Sequence, residues 1–257
     1  MIPKIIHLCW LSGDPYPESI KQCLNTWKEY LPDYEVMLWD AKRFDLNSTI
    51  WTKQAFEKKK YAFAADYIRL YALYNFGGIY LDSDIVMYKS FNDLLSLPYF
   101  IGQSYTGAFE AAVIGAEKGT KWIADILKYY ENRHFVKDDG SFDMIELPKI
   151  FSNILNKEYK FYRLHKLQKY DYNKNLIYVF DKDFFNSRNS IKVRRTRKSY
   201  CAHNYLGSWA KNKNNKSFKN RIQNLLPDFI INIFLTISHK TYKKHVIRRY
   251  EPKFINE

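Results

Sequence analysis

The sequence has 257 residues, 46% of them hydrophobic, so it can bury one sizeable core. Its apolar stretch at residues 229–237 is far shorter than the roughly 20 residues of a membrane-spanning helix, and three cysteines (Cys9, Cys23 and Cys201) are too few for a disulfide framework. The net charge of +14 favours anionic partners such as nucleotides, nucleic acid or acidic lipid surfaces. The opening residues resemble a strand and not a signal peptide, so we expect a cytoplasmic protein.

Short apolar runs alternate with segments of helical period, which predicts an α/β fold around a largely parallel sheet. Residues 5–10 predict a first strand, residues 18–30 a helix, and residues 34–39 a second strand. A long helix is predicted over residues 54–76, because Gly77-Gly78 follows it where a left-handed C-cap is expected.

The segment after these glycines predicts a buried strand at residues 79–81, and Asp82 and Asp84 follow where it ends. Open α/β sheets bind ligands at the carboxyl ends of their strands, so these carboxylates are candidate site residues. The remaining predicted strands lie at 85–88, 99–102, 111–115, 159–164 and 176–180, and the remaining helices at 120–130 and 147–155.

The C-terminal part differs in composition from the rest. Residues 211–219 are polar, basic and rich in Asn, which is typical of a linker. We therefore predict a catalytic domain at 1–210 and a basic amphipathic helical tail at 211–257. Such a tail either lies on an anionic membrane surface or docks as a helix on the domain.

Asp82-Ser83-Asp84 is the candidate centre of the chemistry. Two carboxylates at i and i+2 can approach one divalent cation, and a cation also bound to phosphates lets them hold a pyrophosphate despite its charge. Such triplets also occur in solvated surface turns. The context favours a site, because the preceding helix carries Asp66 and Arg69 on one face.

Residues 64–84, which hold this helix, the glycines and the triplet, resemble the DXD sugar transferases of glycosyltransferase family 32, relatives of the catalytic domains of clostridial glucosylating toxins. Residues 2–13 and 203–209 resemble two further family motifs, in the family's order. The resemblance implies a GT-A fold with a Rossmann-like, mostly parallel sheet flanked by helices. It also implies retaining transfer of a hexose or N-acetylhexosamine from a UDP-sugar to a glycan.

The resemblance also implies a metal site. Asp84 would bind the cation, Asp82 would contribute directly or through water, and His203 would supply a ligand from across the cleft. An imidazole among oxygen ligands suits Mn²⁺ better than Mg²⁺. The same likeness assigns catalytic roles to Asp66, Arg69, Asp82 and Asp84.

Donor binding is implied for a wider set of residues. Trp10 would stack on the base, with core packing as the alternative, and Asp66 and Arg69 would hold ribose and sugar hydroxyls, with an intrahelical ion pair as the alternative. Tyr80 either reaches the donor or is a buried aromatic. The implied donor-binding residues are Trp10, Asp66, Arg69, Tyr80, Asp82, Ser83, Ser208 and Trp209.

Two segments depart from the family pattern. Glu110 and Ala111 stand where the family often has an Asn beside the reacting sugar, and residues 145–148 replace an expected acceptor loop. We predict a lipid-linked acceptor, as in capsule or O-antigen synthesis, and an enzyme peripheral on the inner face of the cytoplasmic membrane. The alternatives are a basic nucleic-acid-binding protein and a metal-dependent phosphotransferase or nuclease. Without a nucleic-acid motif, we expect no nucleic-acid partner.

Overall fold

The computed structural model describes residues 1–104, 106–186, 195–205 and 251–256. Nine strands are found in these ranges: β1 Ile5–Cys9, β2 Glu35–Trp39, β3 Gly78–Leu81, β4 Ile85–Met87, β5 Tyr99–Gln103, β6 Phe109–Ala116, β7 Lys160–Leu164, β8 Leu176–Phe180 and β9 Cys201–His203. The α-helices there are α1 Glu18–Tyr30, α2 Ile50–Glu57, α3 Tyr61–Phe76, α4 Lys121–Leu127, α5 Leu147–Glu158 and α6 Lys182–Phe185.

Seven strands form one sheet in the order β2-β1-β3-β6-β5-β8-β7, and β4 pairs with β9 in a separate ladder. β1 is parallel to β2 and β3, and β8 is parallel to β5 and β7. Only β6 runs antiparallel to both of its neighbours within this described sheet. The prediction of an α/β fold around a mostly parallel sheet is therefore confirmed, with one reversed strand at the centre of the sheet.

The predicted helix over 54–76 is divided into two helices. α2 begins earlier than predicted, because the Thr49 hydroxyl accepts a hydrogen bond from the Thr52 amide at 3.0 Å and so caps it. Between the helices Lys59 adopts a positive φ of 54°, which an α-helix of L-residues does not allow. The chain therefore turns before α3 starts at Tyr61.

Gly77 and Gly78 join α3 to β3. Gly77 has φ 66° and ψ −170°, a conformation almost confined to glycine, although it is not the left-handed cap that was predicted. A Cβ on Gly78 would lie 2.6 Å from the carbonyl oxygen of Ile5, so only glycine lets β3 approach β1 this closely. The turn at these two glycines directs β3 toward the candidate site.

A cluster of aromatic rings fixes the β4–β9 ladder to the main sheet. The Tyr200 ring lies 5.8 Å from that of Phe91 and 5.7 Å from that of Phe185, and Phe185 in turn stacks on Phe100 of β5 at 5.2 Å. Neither α6 nor β9 was predicted, because elements of three or four residues are too short to show a periodic pattern. The ladder nevertheless carries a predicted site residue, His203.

The described part of the predicted tail, residues 251–256, is not helical. Phe254 forms a bridge with Phe161 of β7, and the Asn256 side chain exchanges hydrogen bonds with the backbone of Arg163 at 2.9 and 3.1 Å. This segment therefore packs against an edge strand of the domain. The rest of the tail and the proposed boundary at 210 lie outside the described residues.

Within the described ranges, the helices are all too short or too polar to span a bilayer.

Candidate active site

The site forms at the edge of the sheet where β1 and β3 end. These strands are parallel, and His7 pairs with Tyr80, so the residues that follow each strand emerge side by side. Trp10 follows β1, and Asp82 follows β3. The Asp82 carbonyl accepts a hydrogen bond from the Ile85 amide at 3.0 Å, and this turn places Asp84 just before β4.

One set of charges, here called the Arg69 group, consists of Asp66, Arg69 and Asp82. Guanidinium nitrogens of Arg69 lie 3.1 Å from Asp66 Oδ1 and 3.4 Å from Asp82 Oδ1. Arg69 also donates to the backbone carbonyl of Ala111 at 2.8 Å. The predicted pairing of Asp66 with Arg69 on one helix face is therefore present, and it extends to the Asp-x-Asp triplet.

The electrostatics of this group follow from its burial. Asp66 is 8% exposed, and burial raises the pKa of its carboxyl to about 7, an effect that Arg69 only partly offsets. Burial alone would lower the pKa of Arg69, but the carboxylates of Asp82 and Asp66 raise it above its usual range. Arg69 therefore stays charged.

Tyr80 and Cys9 lie beneath the Arg69 group. The Tyr80 hydroxyl donates to Asp82 Oδ1 at 2.7 Å, and its ring centre lies 4.4 Å from the Arg69 guanidinium carbon. Tyr80 is only 1% exposed, so the structure places it behind Asp82 and not on the surface of the cleft. Burial also raises the pKa of the Cys9 thiol to about 12, so Cys9 is present as a neutral thiol.

A second set of charges, here called the His203 group, consists of Asp84, His203 and Glu110. Because Ile85 pairs with His203 across the β4–β9 ladder, the imidazole comes to lie beside Asp84, with its Nε2 3.2 Å from Asp84 Oδ1. Ligand atoms of Asp82, Asp84 and His203 all lie within 4.8 Å of one another. The predicted metal-binding residues are thus brought together.

Glu110 was not predicted as a site residue. It is 4% exposed on β6, and its Oε1 lies 3.6 Å from His203 Nδ1. Its carboxylate also accepts hydrogen bonds from the Ala112 amide at 3.0 Å and from the Asn186 side chain. In the sequence, the signal that could have marked Glu110 as a site residue was its position where the family often has an Asn. Its contacts with His203 and Asn186 could not be predicted from the sequence.

The His203 group fits a divalent cation. His203 Nδ1 and Asn186 Oδ1 are buried and lack a hydrogen-bond partner among the described residues. Burial lowers the pKa of His203, but the carboxylates of Asp84 and Glu110 raise it to about 10, so this pocket favours a positive charge. A metal ion competes with that proton for the same nitrogen, and imidazole with carboxylate oxygens is a donor set that divalent transition metals accept.

The remaining predicted residues are placed as follows. Trp10 is half-buried; its Nε1 donates to the Asp14 carbonyl at 2.7 Å, and its ring centre lies 4.8 Å from that of Tyr16. Part of its ring surface therefore remains available at the strand end. Ser83 is half-buried between the two aspartates. Ser208 and Trp209 lie outside the described residues.

Residues 17–101 match a protein family described as "Glycosyltransferase sugar-binding region containing DXD motif". This part of the chain is therefore similar to the DXD glycosyltransferases. The matched range holds the Arg69 group and Asp84, whereas Trp10 and His203 fall outside it. The match agrees with the predicted resemblance and lends no support to the nucleic-acid-binding or phosphotransferase alternatives.

Named relatives of this chain include two fungal proteins. "Inositol phosphoceramide mannosyltransferase 3" of Schizosaccharomyces pombe is 28% identical over 142 residues, which are 52% of this chain and 40% of that protein. "Mannosyl phosphorylinositol ceramide synthase SUR1" of Saccharomyces cerevisiae is 28% identical over 173 residues, 65% of this chain and 44% of that protein. The match thus spans less than half the length of either relative.

Among solved structures, the "PaToxG Glycosyltransferase" superimposes with a TM-score of 0.47 and 23% identity, covering 61% of this chain and 70% of that chain.

Proposed function

We propose that this chain transfers a sugar from a nucleoside diphosphate sugar to a hydroxyl group of an acceptor glycan, with a divalent cation held by Asp82, Asp84 and His203. The observation that carries the proposal is the convergence of their three ligand atoms within 4.8 Å at the end of β3. When bound, such a cation neutralises the charge that develops on the departing diphosphate.

The chain's own residues prepare this site. Arg69 and the Tyr80 hydroxyl hold Asp82 Oδ1 from one side, at 3.4 and 2.7 Å, which fixes the carboxylate before any donor binds. Trp10 offers an aromatic face at the neighbouring strand end, suited to stacking on a nucleotide base. Asp66, beside Arg69, is placed to accept hydrogen bonds from sugar or ribose hydroxyls.

The donor and cation follow from two different arguments. An imidazole ligand favours Mn²⁺, and the resemblance to family 32 favours a UDP-hexose or UDP-N-acetylhexosamine. The names of both fungal relatives contain the word mannosyl, which favours a donor that carries mannose. Mannose transfer is thus the second candidate.

A donor panel tests the proposal. UDP-glucose, UDP-galactose, UDP-N-acetylglucosamine and GDP-mannose are each incubated with the purified chain and Mn²⁺, Mg²⁺ or EDTA, and release of nucleoside diphosphate is measured. We expect release from one donor that is largest with Mn²⁺ and abolished by EDTA. Asp82→Asn should lose it, and Asp138→Asn, at an exposed position, should retain it. No cation-dependent release from any donor would contradict the proposal.

The proposed acceptor is a glycan lipid used at the inner face of the cytoplasmic membrane. The sequence predicts a lipid-linked oligosaccharide of the capsule or O-antigen type, and the names of the relatives contain inositol phosphoceramide. Transfer assays with a polyprenyl-diphosphate-linked sugar and with inositol phosphoceramide separate these acceptors. Proton NMR of the product tests the proposed retention of anomeric configuration; an inverted product would rule it out.

A further inference from the structure

A basic concavity lies next to the β4–β9 ladder and belongs to no part of the site described above. Its volume is about 580 Å³. The residues that line it follow β4 or precede β9, and they are Tyr88, Lys89, Arg195, Thr196, Arg197 and Ser199. Three of these six carry a positive charge, and none carries a negative one.

Two of these three cations lie over aromatic rings. The Arg195 guanidinium carbon lies 4.8 Å from the centre of the Tyr88 ring, and Lys89 Nζ lies 3.6 Å from that of Tyr200. Aromatic faces orient a cation and leave its charge available. Among the residues that the structure describes, Lys89, Arg195 and Arg197 form no ion pair within 4.0 Å.

Two other charged residues near the concavity, Lys198 and Asp93, are engaged in hydrogen bonds. Lys198 turns away and donates to the carbonyl oxygen of His165 at 2.6 Å. The Asp93 carboxylate accepts a hydrogen bond from the Tyr200 hydroxyl at 2.7 Å. Of the three basic residues at 195–198, Arg195 and Arg197 line the concavity and Lys198 does not.

The ladder also fixes where this concavity lies relative to the metal-binding residues. Asp84 and His203 are at one end of the ladder, and at the other end the Tyr88 amide donates to the Tyr200 carbonyl at 2.8 Å. Asp84 and Tyr88 are four residue steps apart along extended chain, or roughly 13 Å at about 3.3 Å per step. A single elongated substrate can reach both places.

We propose that Lys89, Arg195 and Arg197 form a binding site for a phosphoryl group carried by the acceptor. Two guanidinium groups and an ammonium group around one open concavity suit phosphate, because Arg binds phosphate oxygens through paired N–H donors and Lys adds a point charge. The phosphoryl group belongs to a membrane lipid headgroup or to a soluble phosphorylated compound. Its role in acceptor binding rests on the proposed function, whereas the anion site itself does not.

The test compares two triple variants of the full chain. The pocket variant is Lys89→Ala/Arg195→Ala/Arg197→Ala, and the matched control is Lys157→Ala/Lys169→Ala/Lys174→Ala, which removes the same charge at exposed positions elsewhere. One arm measures co-sedimentation with phosphatidylcholine vesicles with and without phosphatidylglycerol, at about 0.15 M salt, where long-range attraction is screened. The other arm measures binding of glycerol phosphate by calorimetry.

In whichever arm the native chain binds, the pocket variant should bind on the order of 100-fold more weakly than the native chain. Each cation near an anionic surface strengthens binding roughly fivefold, and the variant lacks three of them. The control should bind more tightly than the pocket variant by at least tenfold. Loss confined to the vesicle arm identifies a lipid headgroup, and loss in the calorimetric arm identifies a soluble phosphate.

Two results would overturn the anion site: equal binding by both variants, or no binding by the native chain in either arm. Thermal unfolding confirms that both variants fold. Neither arm needs turnover, so a chain that releases no nucleotide from any donor would refute the proposed function and leave these binding results interpretable. The pocket variant should also keep its affinity for Mn²⁺, because none of its three residues contacts the metal-binding side chains.

Discussion

The two charged groups that meet where β3 ends are balanced in different ways. In the Arg69 group, one guanidinium contacts both Asp66 and Asp82 and also reaches a backbone carbonyl. Opposite charges inside the group therefore stabilise one another. This group needs no ligand to be satisfied, and it serves as the support on which Asp82 is held.

The His203 group is not balanced in this way. Asp84 and Glu110 flank a single imidazole, and the buried His203 Nδ1 and Asn186 Oδ1 lack hydrogen-bond partners among the described residues. Burying charge and unpaired polar atoms costs stability unless a ligand compensates. The two adjacent groups thus differ: the charges of the Arg69 group compensate one another, whereas the arrangement of the His203 group suits a cation.

The largest effect is expected from breaking the His203 group at Asp84. Asp84→Ala should lower kcat/KM on the order of 1000-fold, since a fixed charge that stabilises the transition state is lost. Its free energy of unfolding without metal should fall as well, because the charged His203 imidazole loses the carboxylate that lies 3.2 Å from its Nε2. Steady-state kinetics and urea unfolding check both points, with Asp138→Ala as the exposed control. Full activity at saturating Mn²⁺ would contradict the assignment.

Breaking the Arg69 group should instead damage the fold. Arg69→Met leaves Asp66 and Asp82 without their buried counter-charge, which should lower the free energy of unfolding by about 3–5 kcal/mol. Urea unfolding measures this, and Arg69→Lys should recover part of the loss. Arg43→Met, at an exposed position, should change stability by less than about 0.5 kcal/mol. If Arg69→Met were as stable as this control, the group would not be structural.

His7 provides a contrast to His203, because its buried imidazole has partners for both ring nitrogens when it is uncharged. Trp39 donates to its Nδ1 at 3.1 Å, and its Nε2 lies 2.6 Å from the Gly77 carbonyl oxygen. Burial lowers the pKa of His7 to about 4, below its unfolded value of 6.5. Its contribution to stability is therefore complete above pH 6.5 and is lost as the pH falls toward 4, by about 3 kcal/mol between pH 7 and 4.

Urea unfolding at a series of pH values checks the sign of this effect. His7→Gln should show a smaller loss of stability between pH 7 and 4 than the native chain, whereas the exposed control His134→Gln should show the native loss. Parallel pH profiles for the native chain and His7→Gln would show that protonation of His7 does not oppose folding.

The smallest effect is expected at Glu110. Glu110 Oε1 lies 3.6 Å from His203 Nδ1, so its negative charge favours a cation at this imidazole, and Glu110→Gln should weaken Mn²⁺ binding about 10–100-fold. Calorimetry of the variant measures this directly. The exposed Glu35→Gln should bind Mn²⁺ normally. Unchanged affinity in Glu110→Gln would remove Glu110 from the site.

The bounds of a helix or strand were predicted correctly from the sequence where one hydrophobic pattern covers the whole element. The bounds of α1 and β8 agree with the predicted ranges, because each is a regular segment with clear end signals. The prediction failed at residues 58–60, where the positive φ of Lys59 divides one apolar stretch into two helices. No residue type there signals a break, since three consecutive lysines are good helix formers.

The sequence by itself determined the Asp-x-Asp strand end, the shared helix face of Asp66 and Arg69, and the glycines that join them. These features depend on spacings of a few residues, which helix and strand geometry translate directly into neighbouring positions. Only the tertiary structure decided that Arg69 also contacts Asp82 and that Glu110 lies against His203. Such contacts depend on how β4 pairs with β9 and how β6 inserts into the sheet, and local periodicity carries no information about pairing between distant strands.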